Sequence, residues 1–413
     1  MKQLYYGMTL IDGTGGSPLE NAGMMVENGS IVHIGQAADF SQDDGMQKTD
    51  CRGKTIIPGL INCHVHLVEE PYTWDRQKDT SETQLALRGA KHLRLLLESG
   101  VTFVRDLGSA QGVNIQLKKA IEDELIFGPD ILSSGQPLCI TGGHGWFWMS
   151  RQCDGQDEFV KGAREQIRAG ADLLKVMSTG GYARPKMKIN HDIMPDSPQM
   201  TVEEIQAVAV EAHRRGKKVA AHCNGLTGVR RAVVAGVDSI EHGQFNDVQE
   251  KGVRKTLDMM AEKGIVLVPT LSAFFKNYVK SDVIGQYQPV LNSFTAALTS
   301  GVKIAMGNDS GCPFVGHETA AMEIRHMVEA GMGPMAAISA ATQEAAALLG
   351  ILGSYGTLQT GKKADFLILK DNPLADIGTL SDIDQVYKSG QRVSNTGLYQ
   401  CNRIFVQPFS DTF

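Results

Sequence analysis

Long apolar runs are missing from this chain. No stretch approaches the roughly 18 to 20 apolar residues needed to span a bilayer. The opening residues, MKQLYYGMTLIDG, lack a signal-peptide hydrophobic region. A cytoplasmic protein without a membrane partner is therefore expected. Clustered positive charge is missing as well. Lys and Arg number 40 against 46 Asp and Glu, a formal net charge of −6, and no basic patch stands out. That excludes the electrostatic footprint of a nucleic-acid binder. Cysteine is sparse: Cys51, Cys63, Cys139, Cys153, Cys223, Cys312 and Cys401 are scattered and odd in number. Such usage suits reduced thiols and argues against a disulfide framework. No GxGxxG or phosphate-loop motif occurs, so nothing signals a dinucleotide or a nucleoside triphosphate.

What is present divides the chain. The 413 residues suffice for one large domain and one small one. Both ends read as short strands and turns: LYYGMTLID and AGMMVENGSIVHIG at the start, GTLQTGKKADFLILK and QVYKSGQRV near the finish. Glu27-Asn28-Gly29 and Lys388-Ser389-Gly390 are hairpin signals. Residues 1–55 and 356–413 are expected to combine into a small β-sandwich domain. Residues 56–355 alternate instead. Candidate strands fall at 56–63, 101–107, 130–134, 171–177, 217–222, 237–241, 264–269 and 302–308. Helical patterns fall between them and continue at 317–330 and 334–349. This α/β alternation predicts a (β/α)₈ TIM barrel. Two connections are long, 135–155 and 178–200, and in a barrel they lie at the C-terminal mouth, where active sites are found.

Polar residues recur where the predicted strands give way to loops. His64-Val65-His66 ends the first, and in a strand these two histidines share a face. ADLLKVM carries Lys175, KKVAAH ends in His222, VDSIEH ends in His242, and VKIAMGND ends in Asp309. In a barrel all six converge at one mouth. Imidazole and carboxylate there suit Zn²⁺, and also Mn²⁺, Fe²⁺ or Co²⁺. A lysine ammonium cannot ligate a cation, and inside an apolar strand it is costly unless paired or modified. Both difficulties disappear if Lys175 reacts with CO₂, because the resulting carbamate is an anion able to bridge two metals. Asp309 then fits as general base for a metal-bridging water and as the group that returns the proton to a leaving nitrogen.

The motifs PGLINCHVH (58–66), LLKVMSTGG (173–181), VAAHCNG (219–225), DSIEHG (238–243) and MGNDSG (306–311) resemble the amidohydrolase superfamily. GTLQTGKKADFLILKDNPL (356–374) is similar to the family's return strand into its small β domain. The resemblance spans essentially the whole chain. It implies a hydrolase in which His64 and His66 bind the more buried metal, His222 and His242 hold a second, carboxylated Lys175 bridges them, and Asp309 binds the first metal and shuttles the proton. The segments 213–222, 228–243 and 317–346 are most similar to the Xaa-Pro dipeptidase (prolidase)-like branch and its imidazolonepropionase relatives. The expected substrate is a small-molecule amide, a dipeptide or an N-acyl amino acid. Carbamate or urea xenobiotics are the alternative, and a homo-oligomer is expected.

Substrate contacts are assigned to the long loops and their neighbours. His144 matches a histidine that similar enzymes use to polarise the substrate carbonyl. Tyr182 and Arg184 are placed to hold a carboxylate, Arg being suited to a bidentate role, although a solvated loop reads equally well. Trp146 and Trp148 read either as pocket wall or as packing. His317 opens the helix after the last strand and is assigned to the cleft, although an ordinary residue of the helix's first turn reads equally well. His33, His92, His213 and His326 are expected in surface or packing roles. Prolidase-like members often carry Tyr or His two residues after the fifth-strand histidine, and here that position is Asn224. Deaminases of the same fold lack the Lys175 equivalent and carry Glu where this chain has Gly225, which disfavours deamination. A non-catalytic barrel scaffold is the remaining rival, and such scaffolds usually lose ligands, none of which is missing.

Overall fold

A computed structural model describes residues 2–40, 46–71, 80–181, 196–279 and 287–394. Strands from the two chain ends join in one sheet, in the order Gln391–Arg392, Ile383–Lys388, Phe366–Leu369, Thr55–Pro58, Lys2–Leu10, Leu19–Glu27, Ser30–Gln36. An eighth strand, Gln47–Asp50, also pairs with Lys2–Leu10. The sheet forks there: residues 3–6 pair with 47–50, and residues 9–10 pair with 55–56. Hydrogen bonding among the described residues thus joins the two chain ends, expected to form a small β-sandwich, in one forked sheet. Its buried face is packed by Met8, Met24, Ile31, Ile56 and Phe366. The Phe366 and Tyr387 rings stack at 4.4 Å and Tyr5 meets Phe366 edge-on at 4.9 Å.

The expected first strand, 56–63, is in fact two. Thr55–Pro58 lies antiparallel to Phe366–Leu369 in the terminal sheet, while Leu60–Val65 runs parallel to Val101–Asp106. The chain changes sheets at Pro58-Gly59. Pro58 has no N–H to continue a ladder. Gly59 N donates to Asp365 O at 2.9 Å, and a Cβ on Gly59 would lie 2.3 Å from Thr102 Oγ1. Only glycine permits so close a passage.

The middle of the chain is built from parallel strands. Leu60–Val65, Val101–Asp106 and Asp130–Ser133 form one set. Leu174–Met177, Val219–Asn224, Ser239–Gln244 and Val266–Val268 form another. Short contacts join their edges. Asp172 N donates to Ser133 O at 2.7 Å. Leu267 bridges to Ile304, and Val65 bridges to Ser310. Cys63 N donates to Met306 O and Asp309 N to His64 O, both at 2.9 Å. The segment 302–310 therefore lies between Val266–Val268 and Leu60–Val65, making contact at single bridges and not as a regular strand. Val101–Asp106 and Val219–Asn224 are buried along their whole length, as strands covered on both faces must be.

Helices separate these strands, and their ends follow from local chemistry. Ser81 Oγ accepts from Gln84 N to start Glu82–Glu98, and Thr201 with Glu204 forms a capping box for Val202–His213. Gly170, Gly236 and Gly264 end three helices in the left-handed conformation. Helix Leu271–Val279 lies in a stretch that the sequence pattern left unassigned. No helix among the described residues is long and apolar enough to cross a membrane.

Candidate metal centre

Four histidines approach one another where the parallel strands end. His64 and His66 come from the end of Leu60–Val65, His222 from Val219–Asn224 and His242 from Ser239–Gln244. The ring centroids of His64 and His242 are 5.1 Å apart, those of His222 and His242 4.6 Å, and those of His64 and His66 5.4 Å. Asp309 Oδ1 lies 3.3 Å from Nε2 of both His64 and His66. Ligand atoms of His64, His242 and Asp309 all fall within 4.8 Å of one another.

Each histidine has one ring nitrogen engaged by the protein. His64 Nδ1 donates to Glu241 Oε2 at 2.9 Å, and His66 Nδ1 to Gly108 O at 2.8 Å. His222 Nε2 donates to Gly180 O at 2.7 Å, and His242 Nδ1 is 2.7 Å from Thr270 Oγ1. An outer partner on one nitrogen fixes the tautomer and frees the other lone pair, which is how metal-ligating histidines are oriented. Burial holds His64, His222 and His242 well below the usual imidazole range, so all three keep a lone pair at neutral pH. Burial opposes ionisation of Asp309, yet His64 and His66 hold it well below the carboxylate range. Three neutral imidazoles and a carboxylate form a donor set that fits a divalent cation.

Backbone strain concentrates here. His242 has φ +71°, Asp309 +59° and Thr270 +50°, all left-handed in residues other than glycine. In a flat strand, Glu241 and His242 would point to opposite faces. The twist at His242 turns both toward His64, and the neighbouring strand records it as a register shift between Cys223 and Asn224. Strained backbone persists where the surroundings over-determine it, commonly at functional sites.

Beneath the histidines lies a buried polar cluster. Arg105 Nη2 donates to Glu241 Oε1 at 2.7 Å, its Nη1 to Ser239 Oγ at 2.9 Å and its Nε to Cys63 O at 2.5 Å. Lys175 is 1% exposed and, among the described residues, makes no hydrogen bond or ion pair. Burial lowers its ammonium to about 8. This is the lysine for which the sequence raised carboxylation. Glu241, Arg105 and Thr270 were missed from the sequence. A charged residue inside each of the apolar runs VTFVRD and DSIEH was the available signal for the first two.

Other expected residues divide. The His144 ring stacks on His222 at 4.5 Å and meets Trp148 edge-on at 5.8 Å. Burial holds it down to about 4. A Cβ on Gly181 would lie 1.9 Å from His144 Cε1, so glycine makes room for that ring. Asn224 is buried, with Nδ2 3.5 Å from His222 Nε2 and Oδ1 without a partner among the described residues. His317, expected at the cleft, is buried against the protein. Its Nε2 donates to His66 O at 3.1 Å and its ring stacks on His92 at 3.8 Å, so it braces the backbone of a candidate ligand. Tyr182 and Arg184 lie outside the described residues. Trp146 is half-exposed.

A model of the Amidohydrolase family matches residues 55–393. The chain is 30% identical to ochratoxinase from Aspergillus niger, over 96% of this chain and 87% of that protein. It is similar to the crystal structure of a Xaa-Pro dipeptidase with methionine bound in the active site, at 31% identity and a TM-score of 0.85, covering 96% of this chain and 100% of that one. It is also similar to a prolidase complexed with N-methylphosphonate-L-proline, at 28% identity and a TM-score of 0.84, with 96% and 100% covered.

Proposed function

The chain belongs to the amidohydrolase family, and from that premise we propose that this metal-dependent C–N hydrolase cleaves dipeptides or N-acyl amino acids. The observation that carries the reading is the meeting of His64, His66, His222, His242 and Asp309 above a buried, unpartnered Lys175. The joined parallel strands read as a (β/α)₈ barrel with the site at its C-terminal mouth. His64, His66 and Asp309 would hold one divalent cation and His222 with His242 a second, Zn²⁺ by ligand type. Lys175, carboxylated, would serve both. Such metals supply Lewis acidity toward a carbonyl and lower the pKa of water.

The chain's own groups do the rest. Asp309 is ionised, so it can take a proton from the attacking water. It then carries that proton to the departing nitrogen. His144, kept neutral by burial, can offer an N–H to the substrate carbonyl oxygen. Asn224 Oδ1 has no donor among the described residues and can accept an N–H from substrate.

A screen of the metal-loaded protein tests the reading. Xaa-Pro, Xaa-Arg/Lys and Xaa-hydrophobic dipeptides, N-acyl amino acids, carbamates and ureas are compared by release of free amine. Turnover of the dipeptide or N-acyl series at kcat/KM of about 10⁴ M⁻¹s⁻¹ or more is expected. Turnover confined to carbamates and ureas would refute the substrate assignment.

A further inference from the structure

Thr270 is fully buried and holds φ at +50°, a conformation that β-branched residues avoid. Directly after it begins helix Leu271–Val279. The first two N–H groups of that helix, on Leu271 and Ser272, donate to Oε1 and Oε2 of Glu323, each at 2.7 Å. Glu323 sits on helix Ala320–Glu329, is 0% exposed, and has no ion-pair partner among the described residues. Burying a carboxylate without a counter-cation is costly. Here both oxygens are spent on the two amides that follow Thr270.

We propose that Glu323 and Thr270 are positioning residues for His242. The carboxylate clamps the start of the helix, and the clamp holds Thr270 in its left-handed turn. In that turn Thr270 Oγ1 accepts the Nδ1–H of His242 at 2.7 Å, so the Nε2 lone pair faces the metal centre. The inference rests on His242 being a metal ligand. It adds two residues, one in the turn before helix Leu271–Val279 and one on helix Ala320–Glu329, that set which nitrogen His242 presents.

The full-length protein is compared as wild type, Thr270→Val, Thr270→Ser, Glu323→Gln and His242→Ala. Zn²⁺ affinity is measured by competition with a chromophoric chelator. Nitrogen NMR of histidine-labelled protein reports the His242 tautomer. Thr270→Val is expected to weaken the site served by His242 by about 10–100-fold and to lose the Nδ1–H form. Thr270→Ser, which keeps the hydroxyl, is expected to restore both. Glu323→Gln should move the same site in the same direction, by about tenfold. Wild-type affinity and an unchanged tautomer in Thr270→Val overturn the proposal and leave the metal centre standing. Unchanged Zn²⁺ binding in His242→Ala overturns the ligand assignment and the proposal together. If Thr270→Val does not fold, Glu323→Gln decides. A lower melting temperature with unmoved metal affinity then marks a merely structural role and overturns the proposal.

Discussion

Carboxylation of Lys175 depends on how much of its amine is neutral, and burial sets that fraction. Its ammonium is lowered to about 8 from an ordinary 10.5. At pH 7 about 9% of such an amine is neutral, against about 0.03% at the ordinary value, a gain of about 300-fold. Only the neutral amine can attack CO₂. A new N–C bond forms, one C=O π bond opens onto oxygen, and the nitrogen loses a proton. The perturbation is to strip metal and CO₂ from the protein and then restore divalent metal with or without dissolved CO₂. With CO₂ held constant, the rate of reactivation should rise about tenfold per pH unit below 8 and level off above it. The sign follows from the lowered value: the reactive form is complete above about 8 and lost progressively below. Reactivation is followed by turnover, and the adduct by carbon NMR with labelled bicarbonate. Full reactivation by metal alone under CO₂-free gas, with no carbamate carbon, would refute carboxylation. A plateau delayed until the ordinary lysine range would refute the reasoning from burial.

Asp309→Asn should retain metal but lose about 10²–10⁴-fold in kcat, because the amide cannot take a proton. Elemental analysis beside steady-state kinetics checks this, and near wild-type turnover would exclude the proton role. Arg105→Met strands the Glu241 carboxylate at 0% exposure and should cost about 3–5 kcal/mol, read as a lower urea midpoint at constant slope. A loss below about 1 kcal/mol would mean that the pair is not the support it resembles. Burial opposes ionisation of Asp130, yet Lys388 beside it holds this carboxyl below its ordinary range. Its folded-state value is depressed, so its contribution is present above the unfolded value and is lost as pH falls through the folded one. Asp130→Asn should therefore lower stability near neutrality, and the gap from wild type should close as the solution is acidified. A gap independent of pH would contradict the linkage.

The sequence shows strand-end histidines because an apolar run that stops at a polar residue is visible without coordinates. His64, His222 and His242 each stand at such a stop, and the structure brings them within one group of rings. The split at Pro58-Gly59 was hidden, since 55–63 reads as one apolar run and only pairing partners separate it into two sheets. Glu241 was hidden by the alternation rule itself. Next to a ligand, it should face away, and the left-handed turn at His242 breaks the rule. Thr270 and Glu323 are 53 positions apart in sequence and meet only through the backbone between Leu271 and Ser272, which no periodicity reports. The contacts of His317 were equally hidden. A histidine at the cleft-side start of a helix looked like a substrate contact, whereas both its edge and its face are occupied by the protein.

The passage through Pro58-Gly59 ties the chain ends to catalysis in a practical way. The strand that carries His64 is separated by a single residue from a strand locked between the N-terminal and C-terminal halves of the terminal sheet. Gly59 itself is bonded to Asp365. Trimming either end, or exchanging it for that of a relative, would move the anchor from which His64 and His66 are cantilevered. Engineers who treat the terminal sheet as a detachable handle should expect to lose metal before they lose solubility.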